Sequence, residues 1–304
     1  MKNQFNHETI YFNYETMYNK IDSLNLSKNT INNLRSFTRR LQTANIKTSE
    51  DIHQYLHDIR DGKNKEAKQI QPSTYAHYLK SALSLMTHEI IPPSSTRTVM
   101  NSELKNISLV AEKNRTVVPS EKQQSAYIPL KKLQEKVKNI PELDKRLLVS
   151  LYVDIPPVRL DYANVKIVSD ETDIPPYDKN NYYALKQNTV TLKDYKTKSL
   201  YGDYKYKLLA SHATLIKKSL DINPREYLFT NKYGEPHSNN TFGKYLNQVF
   251  KEVYDKSITL LDLRHIYASH HSIEKYPQRK LDTIASRMLH SGTTNALIYQ
   301  KEYA

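Results

Sequence analysis

Apolar positions recur with helical spacing through the first third of the chain. Ile31, Leu34, Phe37 and Leu41 share one face of a helix that Ser27 can cap, and Ile52, Tyr55, Leu56 and Ile59 repeat at i, i+3, i+4 and i+7 until Gly62. After the charged stretch from Lys63 to Lys68, Ser73 opens a third helix with Tyr75, Leu79, Ala82, Leu83 and Met86 inward, and Pro92-Pro93 ends it. This pattern predicts a small helical bundle over 1–95. Its outward residues Thr74, His77 and Lys80 suit a phosphate backbone, and equally an ordinary solvated face. From Pro92 to about Ser125 the period fades into Ser, Thr, Lys and Asn, which predicts a linker over 96–126, with Leu104 to Val110 as a short helical continuation. Residues 130–137 and 143–153 then read as two more helices.

Beyond them the period changes. Residues 165–168, 182–185, 190–192 and 204–208 read as short antiparallel strands, followed by helices at about 240–254, 260–271 and 278–289 and a last one from Thr294 to the end. The expected fold class is mainly α with a small antiparallel β-sheet. It divides into a helical domain, 1–95, and a larger domain, 127–304.

Composition narrows the function. A chain of 304 residues fits two domains. No apolar run reaches the roughly 18 residues of a membrane span, and MKNQFNHETI lacks the order of a secretory signal, so an intracellular protein without a membrane partner is expected. Zero Cys removes disulfides, thiolate metal sites and cysteine nucleophiles. Five Gly, none in GxGxxG or GxxxxGK[ST], leave no phosphate-cradling loop, so ATP or NAD dependence is not expected. Lys+Arg 45 against Asp+Glu 32, a formal charge of +13, fits a chain that meets a polyanion. The 24 Tyr are mostly packing residues with a polar tip and by number alone nominate no nucleophile.

Three basic residues stand where neighbours would hold them rigid. Arg159 follows Pro156-Pro157 and is expected to begin a helix, Lys196 falls in a turn between two strands, and Arg264 sits inside the apolar helix LLDLRHIYASHH. Each alone suits a structural ion pair. Two arginines beside an apolar core need an anion, either carboxylates or a phosphate, because an unpaired buried charge costs several kcal/mol.

The segment LLDLRHIYASH, followed by RMLHSGTTNALIY, resembles the second conserved box of the tyrosine recombinases: Asp262, Leu263, Arg264 and His265, then Leu289, His290, Ser291, Thr293, Thr294 and Tyr299. Arg159 takes the place of the first-box arginine and Lys196 that of the hairpin lysine, and YLFTNKYGEP resembles the family's strand and loop ahead of the second box. The resemblance covers roughly 127–304. Three features depart from it. The first box reads IPPVRLDYANV, so Tyr162 stands where an acid is usual and Asp161 is the candidate substitute, a variant similar to recombinases of virophages and large DNA viruses. Leu261 stands where the family has a histidine, and only five residues follow Tyr299.

The resemblance implies a site-specific DNA recombinase or integrase, with Arg159, Lys196, Arg264, His290 and Tyr299 catalytic and neither metal nor cofactor required. Tyr299 would attack phosphorus and leave a 3′-phosphotyrosyl link, the arginines would hold nonbridging oxygens, Lys196 would protonate the leaving 5′-oxygen, and His290 would hydrogen-bond a nonbridging oxygen or the nucleophile. The implied partner is double-stranded DNA carrying recombination sites, on which four protomers assemble. Alternatives are a type IB topoisomerase-like enzyme, though TTNALI before Tyr299 differs from the usual S-K-x-x-Y, and a DNA-binding protein with a decayed site. His265 with His270 or His271 has metal-ligand character but no HExxH context, so His265 is expected to be a core residue supporting Arg264.

Overall fold

The computed structural model describes residues 10–63, 70–113, 118–271, 276–291 and 299–303. The chain divides into two compact units, Met1–Asn114 and Arg115–Ala304. Among the described residues no helix is long and apolar enough to cross a membrane.

The first unit contains α1 (Tyr14–Ser23), α2 (Lys28–Thr43), α3 (Ser49–Arg60), α4 (Pro72–Thr87) and α5 (Arg97–Lys113). Ser27 accepts from the Thr30 amide at 3.2 Å and Thr48 from the Asp51 amide at 3.4 Å, each satisfying an orphan donor of the helix it opens. α4 begins one residue earlier than the polar cap suggests, with Pro72 in the first turn, where its missing N–H costs nothing. Leu34, Phe37, Leu41, Ile52, Leu56, Ile59, Leu79 and Met86 form one buried cluster. The stretch 97–113, expected in a linker, is instead a long helix of this unit. Its Met100 is fully buried, and Leu104 and Ile107 pack on the same core. Three apolar anchors at helical spacing suffice, although the Ser, Asn and Lys between them blur the pattern.

In the second unit, α6 (Glu121–Ala126) starts at a reciprocal Ser120–Gln123 capping box and leads to α7 (Leu130–Val137) and α8 (Leu143–Val153). Every residue from Leu147 to Val153 is buried, so α8 is the axis of this domain. Beside it lies one mixed sheet, ordered β1 (Lys166–Val168), β2 (Tyr182–Ala184), β3 (Thr189–Leu192) and β4 (Tyr204–Lys207), with the four-residue α9 (Lys198–Tyr201) between β3 and β4. α10 (Ala210–Ile222), α11 (Asn239–Tyr254), α12 (Leu260–His270) and α13 (Gln278–Arg287) follow. Helices α7, α10, α11 and α12 all pack on α8.

The mainly helical architecture with a small sheet is as expected, with one difference: β1 runs parallel to β2, with Lys166 opposite Tyr182, while β2–β3 and β3–β4 are antiparallel. Residues 169–181 supply the return path that parallel neighbours need. Helix α10 carries only His212, Ile216 and Ser219 as buried positions, too polar a stripe to show as a period. Of the helix expected from Thr294 onward, residues 294–298 and 304 lie outside the described residues, and 300–303 are not helical.

Candidate active site

The second unit gathers the candidate residues around the C-terminal end of α13. That helix ends in a Schellman turn: the Leu289 amide donates to the Ser286 carbonyl at 2.9 Å and the His290 amide to the Ala285 carbonyl at 3.1 Å. Leu289 has φ +58°, the left-handed conformation usually given to glycine. Its side chain is nonetheless buried in the core, which offsets the strain. The carbonyls left over at this end carry the negative pole of the helix and face basic side chains. Met288 O accepts from Arg264 Nη2 at 2.9 Å, and Leu289 O accepts from Arg159 Nη1 at 3.4 Å and from Thr197 Oγ1 at 3.1 Å. One helix terminus thereby draws together α12, the turn bearing Arg159 and the loop bearing Lys196.

Arg264 is only 2 % exposed. α12 is set by a Thr259–Asp262 capping box, and from it Arg264 donates through Nη1 to Pro157 O at 2.5 Å and through Nη2 to His290 Nδ1 at 2.8 Å. Its Nε has no hydrogen-bond partner among the described residues, and it forms no ion pair with a described carboxylate. Burial lowers its pKa, an effect opposed by the neighbouring Tyr299 phenol and by Asp161 and reinforced by Arg159. Carbonyl dipoles and one aromatic face therefore stand where a counter-anion is expected.

Tyr299 is buried, with its ring 4.8 Å from the Arg264 guanidinium carbon and stacked on His290 at 4.7 Å and 12°. Its carbonyl accepts from His265 Nδ1 at 3.0 Å and lies 3.5 Å from Ser269 Oγ, which in turn accepts from the Lys301 amide at 2.7 Å. Burial lowers the His265 pKa, so the ring is neutral with its proton on Nδ1. His265 is thus a core residue, as expected, but it secures the backbone of Tyr299. A guanidinium only donates, so His290 must accept at Nδ1 and carry its own proton on Nε2.

Arg159 does not begin a helix. It lies in a bend after Val158, where the Asp161 carboxylate accepts from its amide at 2.9 Å and its carbonyl accepts from Tyr152 Oη at 2.8 Å. Pro156-Pro157 and this carboxylate cap hold a turn in place of a helix. Burial pushes the Asp161 pKa up to about 6, although Arg159 and Arg264 both pull it down. Tyr162, at the family's usual acid position, is a fully buried packing residue whose hydroxyl accepts from Tyr206 at 2.7 Å. Lys196 is exposed in the turn after β3, whereas Lys198 is paired with Asp203 at 2.6 Å and Lys193 is buried against the carbonyls of Pro175 and Pro176. Leu261 is 53 % exposed. Thr293 and Thr294 lie outside the described residues.

The structure thus brings Arg159, Arg264, His290 and Tyr299 to one place and ties the Lys196 loop to it through Thr197. The carbonyl end of α13 and the Thr197 tether have no sequence signal, since every residue brings a carbonyl. On the same helix as Arg264, His271 Nδ1 donates to the Tyr267 carbonyl at 2.9 Å.

No family model and no curated protein matches the chain. Solved structures do. A lambda integrase dimer bound to a COC′ core site aligns with 98% of this chain and 80% of its own, at TM-score 0.55 and 13% identity. A lambda integrase tetramer bound to a Holliday junction aligns over the same shares at TM-score 0.54 and 12% identity. At such identity the likeness is one of fold, and the fold of this chain is lambda integrase-like.

Proposed function

We propose that this chain is a DNA strand-cleaving and rejoining enzyme of the tyrosine recombinase type. The observation that carries the reading is Arg264: a buried guanidinium with no described carboxylate partner, set against the face of a tyrosine and beside a second arginine and a histidine donor. A scissile phosphodiester supplies the missing anion. Arg159 and Arg264 hold its nonbridging oxygens, where charge accumulates as a fifth oxygen approaches phosphorus. The Nε2 proton of His290 adds a third donor. The Tyr299 phenol releases its proton to solvent and its oxygen forms the new bond to phosphorus as the bond to the 5′-oxygen breaks, and Lys196 gives that leaving oxygen its proton. The 3′-phosphotyrosyl ester retains the bond energy, so another 5′-hydroxyl can reverse the step. The partner is double-stranded DNA, with a tetramer assembled on it for strand exchange. That the matching solved structures hold integrase on DNA supports this partner.

The test is trapping on a nicked suicide substrate carrying candidate sites, read on denaturing gels. The wild type should give a covalent protein–DNA adduct, and Tyr299→Phe should bind DNA and give none. Tyr303 is the internal control. Its ring stacks on Tyr127 at 4.0 Å, its hydroxyl is buried without a hydrogen-bond partner among the described residues, and burial drives its pKa far up. Tyr303→Phe should keep the adduct. Binding without an adduct in the wild type would point to a decayed site, and supercoil relaxation without strand exchange to a topoisomerase.

A further inference from the structure

Away from this site, the first unit holds a cluster that the proposed chemistry does not use. His53 and His57 stand one turn apart on α3, and both direct Nε2 toward Glu103 of α5. His57 Nε2 lies 2.8 Å from Glu103 Oε1 and His53 Nε2 lies 3.3 Å from Glu103 Oε2, and the ligand atoms of all three residues fall within 4.8 Å of one another. We propose that His53, His57 and Glu103 form a binding site for one divalent transition-metal ion, Zn²⁺ foremost, that clips α3 to α5.

Three observations carry this. First, the donor set and spacing are right. Two imidazoles and a carboxylate suit Zn²⁺, whose bonds of roughly 2.0–2.2 Å place tetrahedral ligand atoms about 3.3 Å apart. His53 Nε2 already stands 3.3 Å from Oε2, and His57 Nε2, now 2.8 Å from Oε1, needs to open by only about half an ångström if both oxygens face the ion. Second, His53 Nε2 is buried and makes no well-aligned hydrogen bond among the described residues, although Glu103 Oε2 lies 3.3 Å away. A buried nitrogen left so is uncommon. Third, the outer support exists: Tyr75 Oη donates to Glu103 Oε2 at 2.6 Å and fixes the carboxylate.

Arg60 opposes loading. Its Nη2 stands 3.3 Å from His57 Nδ1 and can only donate, so in the ion-free protein His57 accepts there and carries its proton on Nε2. A metal at Nε2 moves that proton to Nδ1, facing a second donor. Arg60 must then withdraw to Asp61, which it already contacts through Nε at 2.7 Å.

The experiment is a titration of the full chain with Zn²⁺, with Co²⁺ as the spectroscopic probe. One equivalent should bind, and Co²⁺ should give visible absorption of a low-coordinate N/O site. At a hundredfold excess over Kd the thermal midpoint should rise by several degrees. His53→Ala and His57→Ala should lose the stoichiometric ion, Glu103→Gln should weaken it at least tenfold, and Arg60→Ala should tighten it several-fold. Acidification should release it, because protonated imidazole cannot ligate. If an alanine variant does not fold, Glu103→Gln, which keeps the shape and the Tyr75 contact, carries the test. Absence of stoichiometric binding, or binding that survives His53→Ala and Glu103→Gln but disappears in His270→Ala/His271→Ala, would overturn the proposal.

Discussion

At the scale of single residues, the protonation pattern of the site yields two predictions. With His290 accepting at Nδ1 it serves as a donor, and Leu261 cannot act as a base, so neither offers a base for the phenol of Tyr299. Cleavage should therefore be slow near neutral pH and rise toward alkaline pH. Leu261 is more than half exposed, so its replacement by histidine meets no packed wall. Leu261→His should raise single-turnover rates near pH 7 and flatten the alkaline rise, within the 10²–10⁴-fold range of general-base assistance. A fast wild type unimproved by the histidine would mean another residue fills the role. The second prediction concerns Asp161, held at about 6 against an ordinary 3.8. The folded state then binds the proton more tightly than the unfolded chain. The resulting stabilisation is complete below about pH 4 and is lost as pH rises through about 6. Asp161→Asn should remove that fall, making the variant more stable than wild type at pH 7 by up to about 3 kcal/mol, as read from thermal midpoints across pH. Arg264, His290 and Tyr299 were nominated by spacing within the second box and Arg159 by its place in the first, and the fold brings these four together. Their electrostatic partners were not legible in the sequence, since those are carbonyls of Pro157, Met288 and Leu289 brought in by the fold.

At the scale of elements, the end of α13 makes a quantitative claim. Holding leucine in the left-handed region costs roughly 1–2 kcal/mol, which glycine would avoid, whereas deleting a buried leucine side chain typically costs about 2–5 kcal/mol. Leu289→Gly should therefore destabilise by no more than about 4 kcal/mol. Leu289→Ala should be worse than glycine, because it loses the same packing and keeps the strained backbone, reversing the usual order inside a helix. Denaturant midpoints of the two variants decide it, and glycine less stable than alanine would refute the account. The same site explains which elements were readable. α2, α3 and α4 show clean apolar stripes, and the strands show their short β-branched and aromatic runs. α5 and α10 bury too few apolar positions to stand out, and the parallel pairing of β1 with β2 depends on the path of 169–181, which no local pattern encodes.

At the scale of the whole molecule, the excess of positive charge and the two separate cores belong to one argument. The apolar residues are taken up by two buried clusters, and the Lys and Arg excess of 13 is left largely for the surface. DNA affinity should then come mainly from displaced counterions and fall linearly in log–log form with salt, by about 10³–10⁵ between 50 and 200 mM if 6–10 phosphates are met. Surface and site should separate in that measurement. Lys80 is exposed on α4 near His77, so if this face follows the backbone, Lys80→Gln should weaken binding equally on specific and nonspecific duplexes and reduce the slope by about one. Arg264 is buried, and on the proposed reading it meets one phosphate, so Arg264→Ala should abolish the covalent adduct while changing the slope by no more than about one. A salt-insensitive affinity would remove the polyanion from the account. An Arg264 variant that lost several units of slope would show that the buried guanidinium organises the binding surface as a whole instead of serving one phosphate.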